Sequence, residues 1–98
     1  MASAKTAAKI SEKSFQSIAK ALADPRRTAI LRQIGQSGDT LACSCLLTCM
    51  DVSAATVSHH MKELEMAGLV ESEREGKFVN YRLRRDVLQA YLDRLAEI

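Results

Sequence analysis

The 98-residue sequence predicts a mainly α-helical domain that carries a small β-hairpin. Three observations carry that expectation. Val57, Met61 and Leu64 recur at four and three residues, which places them on one helical face. The stretch from Val70 to Leu83 instead alternates in twos around a Gly-Lys pair, the period of paired strands. Hydrophobic residues make up 47% of the chain and aromatics only 4%, so the interior is aliphatic and suits packed helices.

The elements follow in order. Met1 to Ile10 is rich in Ala, Lys and Ser and reads as a frayed, flexible tail, leaving residues 11–98 as one domain. A first helix opens near Ser11 with Phe15, Ile18, Ala19 and Leu22 on one side. Asp24-Pro25 starts a second helix, as an N-cap followed by proline at the first helical position, and Ile30, Leu31 and Ile34 continue it to Gly35. Gly38-Asp39-Thr40 is the next break. Ser53 is a good N-cap for the helix of Val57, Met61 and Leu64, and Gly68 is the left-handed residue expected past its end. In the hairpin, Val70, Ser72 and Arg74 share a face, Phe78, Asn80 and Arg82 alternate against Val79, Tyr81 and Leu83, and Glu75-Gly76-Lys77 reads as the turn. A final helix from about Arg85 to Glu97 presents Val87, Leu88, Tyr91, Leu92 and Leu95, too many apolar residues for a lone surface helix. It is expected to pair with the first helix and with their symmetry mates in a two-fold dimer.

An amphipathic helix with a short polar start, followed by a basic-tipped hairpin, is how a winged helix-turn-helix protein meets duplex DNA. The expected architecture is therefore a winged helix-turn-helix of about five helices with a two-stranded wing. Its reading helix would offer Ser53, Ala54, Ala55, Thr56, Ser58, His59 and Lys62, polar or small residues concentrated where base edges and phosphates come close. Its wing would offer Lys77, with Arg74 and Arg82, to the phosphate backbone or a minor groove. Glu71, Glu73 and Glu75 make the outward strand locally acidic, which leaves open a merely solvated hairpin or a protein-binding winged helix. The formal net charge is only +2. Six basic and two acidic residues up to Arg27 give that segment +4, whereas residues 54–69, with one Lys and two Glu, carry −1. Base contacts would then come from hydroxyl and imidazole groups, with phosphate binding supplied elsewhere.

ALADPRRTAILRQI (Ala21 to Ile34), SAATVSHHMKELEMAGLV (Ser53 to Val70) and EGKFVNYRL (Glu75 to Leu83), in this order and spacing, resemble the ArsR-type bacterial repressors over nearly the whole chain. The resemblance implies a small dimer that holds an operator and leaves it when an inducer binds. It also implies that Cys43, Cys45 and Cys49 lie on a short helix leading into the reading helix, similar to the Cys-x-Cys site of arsenic- and cadmium-responsive members. Thiolates are soft ligands for arsenite, antimonite or a thiophilic divalent metal, and three would match a trigonal site. On an ideal helix Cys45 and Cys49 share a face, but Cys43 and Cys45 lie roughly 200° apart, so all three converge only if the first turn unwinds. The chain also departs from the arsenic sensors, which carry an acidic residue after the Cys-x-Cys pair and a closer third Cys. Here Leu46 and Leu47 follow, and the third thiol is Cys49. Thiol oxidation, with Cys45-Cys49 or an intersubunit bond as the disulfide, and simple packing beside Leu41, Leu46 and Leu47 are the alternatives.

The family's other metal site, on the last helix, is not expected: Asp86 is present, but Leu88 stands where a His would be, and no His follows His60. His59 is expected to face DNA and His60 to pack against the preceding helix. No nucleophile, base and orienting residue cluster at catalytic spacing, and no Gly-rich phosphate loop occurs, so an enzyme is not expected and no cofactor is obligatory. No transmembrane run or secretory segment is visible, giving a cytoplasmic expectation.

Overall fold

The computed structural model of the protein describes residues 9–50 and 52–98. Helices α1 (Glu12–Ala21) and α2 (Pro25–Gln36) precede a short strand β1 (Thr40–Ala42), helices α3 (Cys43–Cys49) and α4 (Ala54–Met66), strands β2 (Val70–Glu75) and β3 (Phe78–Leu83), and helix α5 (Arg85–Ala96). Those are the five helices expected among the described residues. The tail expected over Met1 to Ile10 lies mostly outside them, but Ile10 packs against the core.

Local signals explain where the helices begin. Ser11 Oγ accepts from Ser14 N at 3.0 Å, Asp24 Oδ1 from Arg26 N at 2.9 Å, and Ser53 Oγ from Thr56 N at 3.2 Å. Each cap satisfies a backbone N–H that the helix leaves without a partner. Helix α4 ends as cleanly. Gly68 takes φ +83°, its N–H donates to Glu65 O at 3.0 Å, and Leu69 N donates to Leu64 O at 3.0 Å. This is a Schellman closure, and it turns the chain directly into β2.

The hairpin differs from the expected two-stranded wing in two ways. Its connection is the two-residue Gly76-Lys77, with Glu75 as the last residue of β2 rather than part of the turn. Gly76 supplies the positive φ (62°) that such a tight connection demands at its first position. In addition, β1 joins as a third antiparallel strand in the order β1-β3-β2, with Thr40 opposite Arg82, Leu41 opposite Tyr81 and Ala42 opposite Asn80. The Gly38-Asp39-Thr40 break therefore leads into a strand. Leu83 N donates to Asp39 O at 2.8 Å, which ties that corner to the root of the wing.

Ile18 of α1, Ile30 and Ile34 of α2, Leu46 of α3, Val57, Met61 and Leu64 of α4, and Leu69, Val70 and Leu83 form one aliphatic core. It holds α4 on the rest of the domain by one face and leaves the opposite face to solvent. Helix α5 rests on α1 through Phe15 and Tyr91, whose ring centroids lie 5.1 Å apart, and the Arg94 guanidinium covers Phe15 while bonding Glu12. No described helix is long and apolar enough to cross a membrane.

Candidate nucleic-acid interface

Burial divides α4 into two working faces. Val57, His60, Met61 and Leu64 are buried, whereas Ala54, Ala55, Ser58, His59 and Lys62 are exposed. Ser53 is also exposed, but its hydroxyl caps the helix and lies 2.9 Å from Thr56 Oγ1, so these two hydroxyls are partly committed to each other. The unengaged polar groups are those of Ser58, His59 and Lys62, behind a first turn kept narrow by two alanines.

His60 is buried, and its polar partner comes from α2. Its Nδ1 accepts from Arg27 Nε of α2 at 3.1 Å, and Arg27 Nη1 also reaches Ala21 O at 3.3 Å. Arg27 thus ties the end of α1 to the middle of α4. Burial pushes the His60 pKa below the ordinary value, with the Asp24 carboxylate opposing and Arg27, His59 and Arg26 assisting. Because Nδ1 accepts, the ring proton sits on Nε2, which is buried without a hydrogen-bond partner among the described residues.

In the wing, the two arginines expected to flank Lys77 lie on opposite faces. Arg74 pairs in register with Val79, and Arg82 with Glu71. Arg82 is not a free cation: its guanidinium bonds Glu71 and also Glu73, the latter at 3.3 Å. Arg84 binds the other oxygen of Glu71 at 3.0 Å and Asp86 at 2.9 Å. Asn80 Nδ2 donates to Glu75 at 3.4 Å. Arg82 and Arg84 thus offset part of the charge of Glu71 and Glu73, whereas Glu75, bonded only by the neutral Asn80, keeps its charge. Lys62, Arg74 and Lys77 have no acidic partner among the described residues. Arg84 was invisible as a member of this network because its role depends on cross-strand register; a two-residue turn at Gly76-Lys77 would have disclosed the Glu71–Arg82 pair.

The cysteines are all free thiols; Cys43 is half-buried, while Cys45 and Cys49 are exposed. Cys43 lies near Tyr81, whose phenol is pushed up in pKa by burial first and then by Cys43 and Glu65. Among the described residues no three His, Cys, Asp or Glu side chains gather as a metal site. As folded, α3 presents Cys45 and Cys49 one turn apart, so a three-thiolate site does not fit it. Packing alone does not account for those two either, because of the three leucines expected beside them only Leu46 is buried and Leu47 is 39% exposed.

A capped helix with a free polar face, led in by a short helix and flanked by a hairpin with a basic tip, defines a winged helix-turn-helix protein. The helix-turn-helix domain family matches residues 22–73, from the end of α1 into β2. The chain is 36% identical over 75 residues to the uncharacterized HTH-type transcriptional regulator YceK of Bacillus subtilis strain 168, covering 76% of this chain and 75% of YceK. It is 36% identical over 64 residues to the arsenical resistance operon repressor of Escherichia coli K12, covering 65% of this chain but only 54% of that repressor. A solved homodimeric winged helix-turn-helix DNA-binding domain from Mycobacterium bovis, described as a possible ArsR-family transcriptional regulator, has a TM-score of 0.71 at 30% identity. The match covers 87% of this chain and 80% of that one. The chain belongs to the ArsR family of helix-turn-helix transcriptional regulators.

Proposed function

We propose that the protein is a dimeric transcriptional repressor that places the exposed face of α4 in the major groove of an operator and the wing on the adjacent backbone. The observation that carries this reading is the division of α4: Ser58, His59 and Lys62 are exposed and unengaged on a helix whose other face is locked into the core. Ser58 and His59 read base edges there, while Lys62, Arg74 and Lys77 meet phosphates. Leu92 and Leu95, exposed by 46% and 42%, give α5 an apolar strip, with Ile98 exposed just past its end, that supports pairing with a second copy. The homodimeric form of the M. bovis domain supports the same arrangement. Two copies would meet successive major grooves of a pseudo-palindromic site.

Regulation is assigned to Cys45 and Cys49. Both are exposed on α3, the helix that leads into α4, so capture of a thiophilic ion or formation of a disulfide there would alter how α4 is presented. The name of the E. coli relative, which connects it to arsenical resistance, supports trying arsenite first. A differential affinity of a few kcal/mol between bound and free states is enough to empty an operator. The test is duplex binding by wild type and variants, on DNA selected by the protein from a random-sequence pool. Ser58→Ala or His59→Ala relaxes sequence preference, whereas Lys77→Ala weakens all duplexes and lowers the salt slope by about one. Unchanged binding in all three variants would overturn the assignment. Arsenite, antimonite, Cd(II) or peroxide releasing wild type but not Cys45→Ser/Cys49→Ser would place the switch on those thiols; release of both proteins, or of neither, would remove it from them.

A further inference from the structure

The wing tip carries an aromatic ring that folding does not use. Of the two Phe and two Tyr in the chain, Phe15 and Tyr91 stack on each other and Tyr81 packs against the core. Phe78 alone is left out, with 65% of its surface exposed. A single exposed apolar side chain is ordinary on a protein surface, so exposure by itself carries nothing. Its position does. Phe78 follows Gly76-Lys77 directly and pairs with Glu75, so the hairpin projects it to the end of the wing beside Lys77.

The pleat then sorts the tip. Arg74 stands opposite Val79 and shares that face, while Phe78 shares the other face with Asn80 and Arg82. Seen edge-on, the tip is an ammonium at the apex, a guanidinium on one side and a phenyl ring on the other. Neither cation has an acidic partner among the described residues. Of the acids that share the ring's face, Glu73 and Glu71 are paired with Arg82 and Arg84, and Glu75 is bonded by Asn80 but keeps its charge. An apolar ring bracketed by free cations complements a surface of sugar rings flanked by phosphates, and minor-groove proteins combine the same two elements.

Resting on the reading of the chain as a duplex-DNA binder whose wing lies at the minor groove beside each half-site, we infer that Phe78 is an apolar contact of the wing in that groove. The ring seats against deoxyribose and base edges along one wall, while Lys77 and Arg74 take phosphates at the rim and along the other wall. Phe78 therefore adds affinity that does not arise from counterion release. It also favours flanking sequences that open or kink easily, such as pyrimidine–purine steps.

The test uses the full chain and a duplex that wild type selects from a random-sequence pool. Phe78→Ala is expected to bind about tenfold more weakly, with the dependence of affinity on salt unchanged because no phosphate contact is lost. Lys77→Ala is expected to reduce that dependence. The penalty of Phe78→Ala should vanish on a duplex trimmed to remove the flanking minor groove. The chain contains no tryptophan, so Phe78→Trp installs a single reporter whose emission should shift and become shielded from acrylamide when duplex is added. Wild-type affinity in Phe78→Ala, or an indole still open to acrylamide at saturation, overturns the inference while leaving the repressor reading intact. Wild type that selects no duplex at all overturns both.

Discussion

His60 shows how one buried group links sequence to stability. Its pKa is held below the ordinary 6.5, chiefly by burial. In the unfolded chain the ring protonates near 6.5, while the folded ring stays neutral, so the unfolded state binds the extra proton first and stability falls with pH below about 6.5. Above that value His60 makes the pH profile flat. The carboxylates of Asp24, Asp39 and Asp86 are also shifted down, but there by hydrogen bonds from Arg26 N, Arg85 and Arg84 in turn, which favour the charged form. Their contribution is complete above the usual carboxylate value of 3.8 and is lost only as the pH falls through their lowered values, so the two windows separate. Thermal unfolding followed against pH should show wild type losing stability below about 6.5 and a His60→Gln variant losing none in that window; parallel profiles would show that His60 is not the titrating group. Arg82 makes a second residue-scale prediction. Held by Glu71 and Glu73, it is expected to act as a screen for the wing rather than as a DNA contact. Arg82→Ala should weaken duplex binding, and adding Glu71→Gln and Glu73→Gln to it should restore the lost affinity. Failure of that rescue would mean that Arg82 touches DNA itself.

At the scale of elements, what the sequence disclosed follows from how local each signal is. The starts of α1, α2 and α4 were legible because Ser11, Asp24 and Ser53 act within one turn, and the end of α4 was legible because Gly68 stands alone at a left-handed position. Strand β1 was not legible. Its three residues have no periodicity of their own, and they become a strand only because β3 offers them an edge. The Arg82 network was hidden for a related reason: reading Glu75 as part of the turn shifts the pairing, and Glu71 no longer faces Arg82. Likewise the His60–Arg27 bond joins residues thirty-three positions apart, which no helical pattern reports. The three thiols do not gather in α3 as folded, as the helix geometry implies, since Cys43 is helical and half-buried while Cys45 and Cys49 are exposed. The closure of α4 is directly testable. A methyl group at Gly68 meets only Val87 Cγ1, at 4.0 Å, so Gly68→Ala is penalised by its φ of +83° rather than by crowding. A loss of about 1–2 kcal/mol in denaturant-induced unfolding is expected, and a loss below about 0.3 kcal/mol would show that the left-handed turn is not needed.

For the whole molecule, the free cations Lys62, Arg74 and Lys77 belong to the reading helix and the wing, while Arg82, Arg84, Arg85 and Arg94 are each spent on carboxylates. With a net charge of only +2, α4 and the wing thus offer three cations that lack an acidic partner among the described residues, as Lys13, Lys20, Arg26 and Arg32 do elsewhere on the domain. Dimerisation would double that interface. Leu92→Glu with Leu95→Glu places charge on the exposed strip of α5 without entering the core, so sedimentation should give a folded monomer with sharply weakened duplex binding; a variant that stays dimeric would move the interface off α5. The most direct measurement is a titration of isotope-labelled protein with its selected duplex, following backbone amide signals by NMR. The largest shifts are expected on residues 53–62 and 74–78, the N-terminal part of α4 and the wing tip. Shifts confined to other surfaces, with those two segments unmoved, would contradict it.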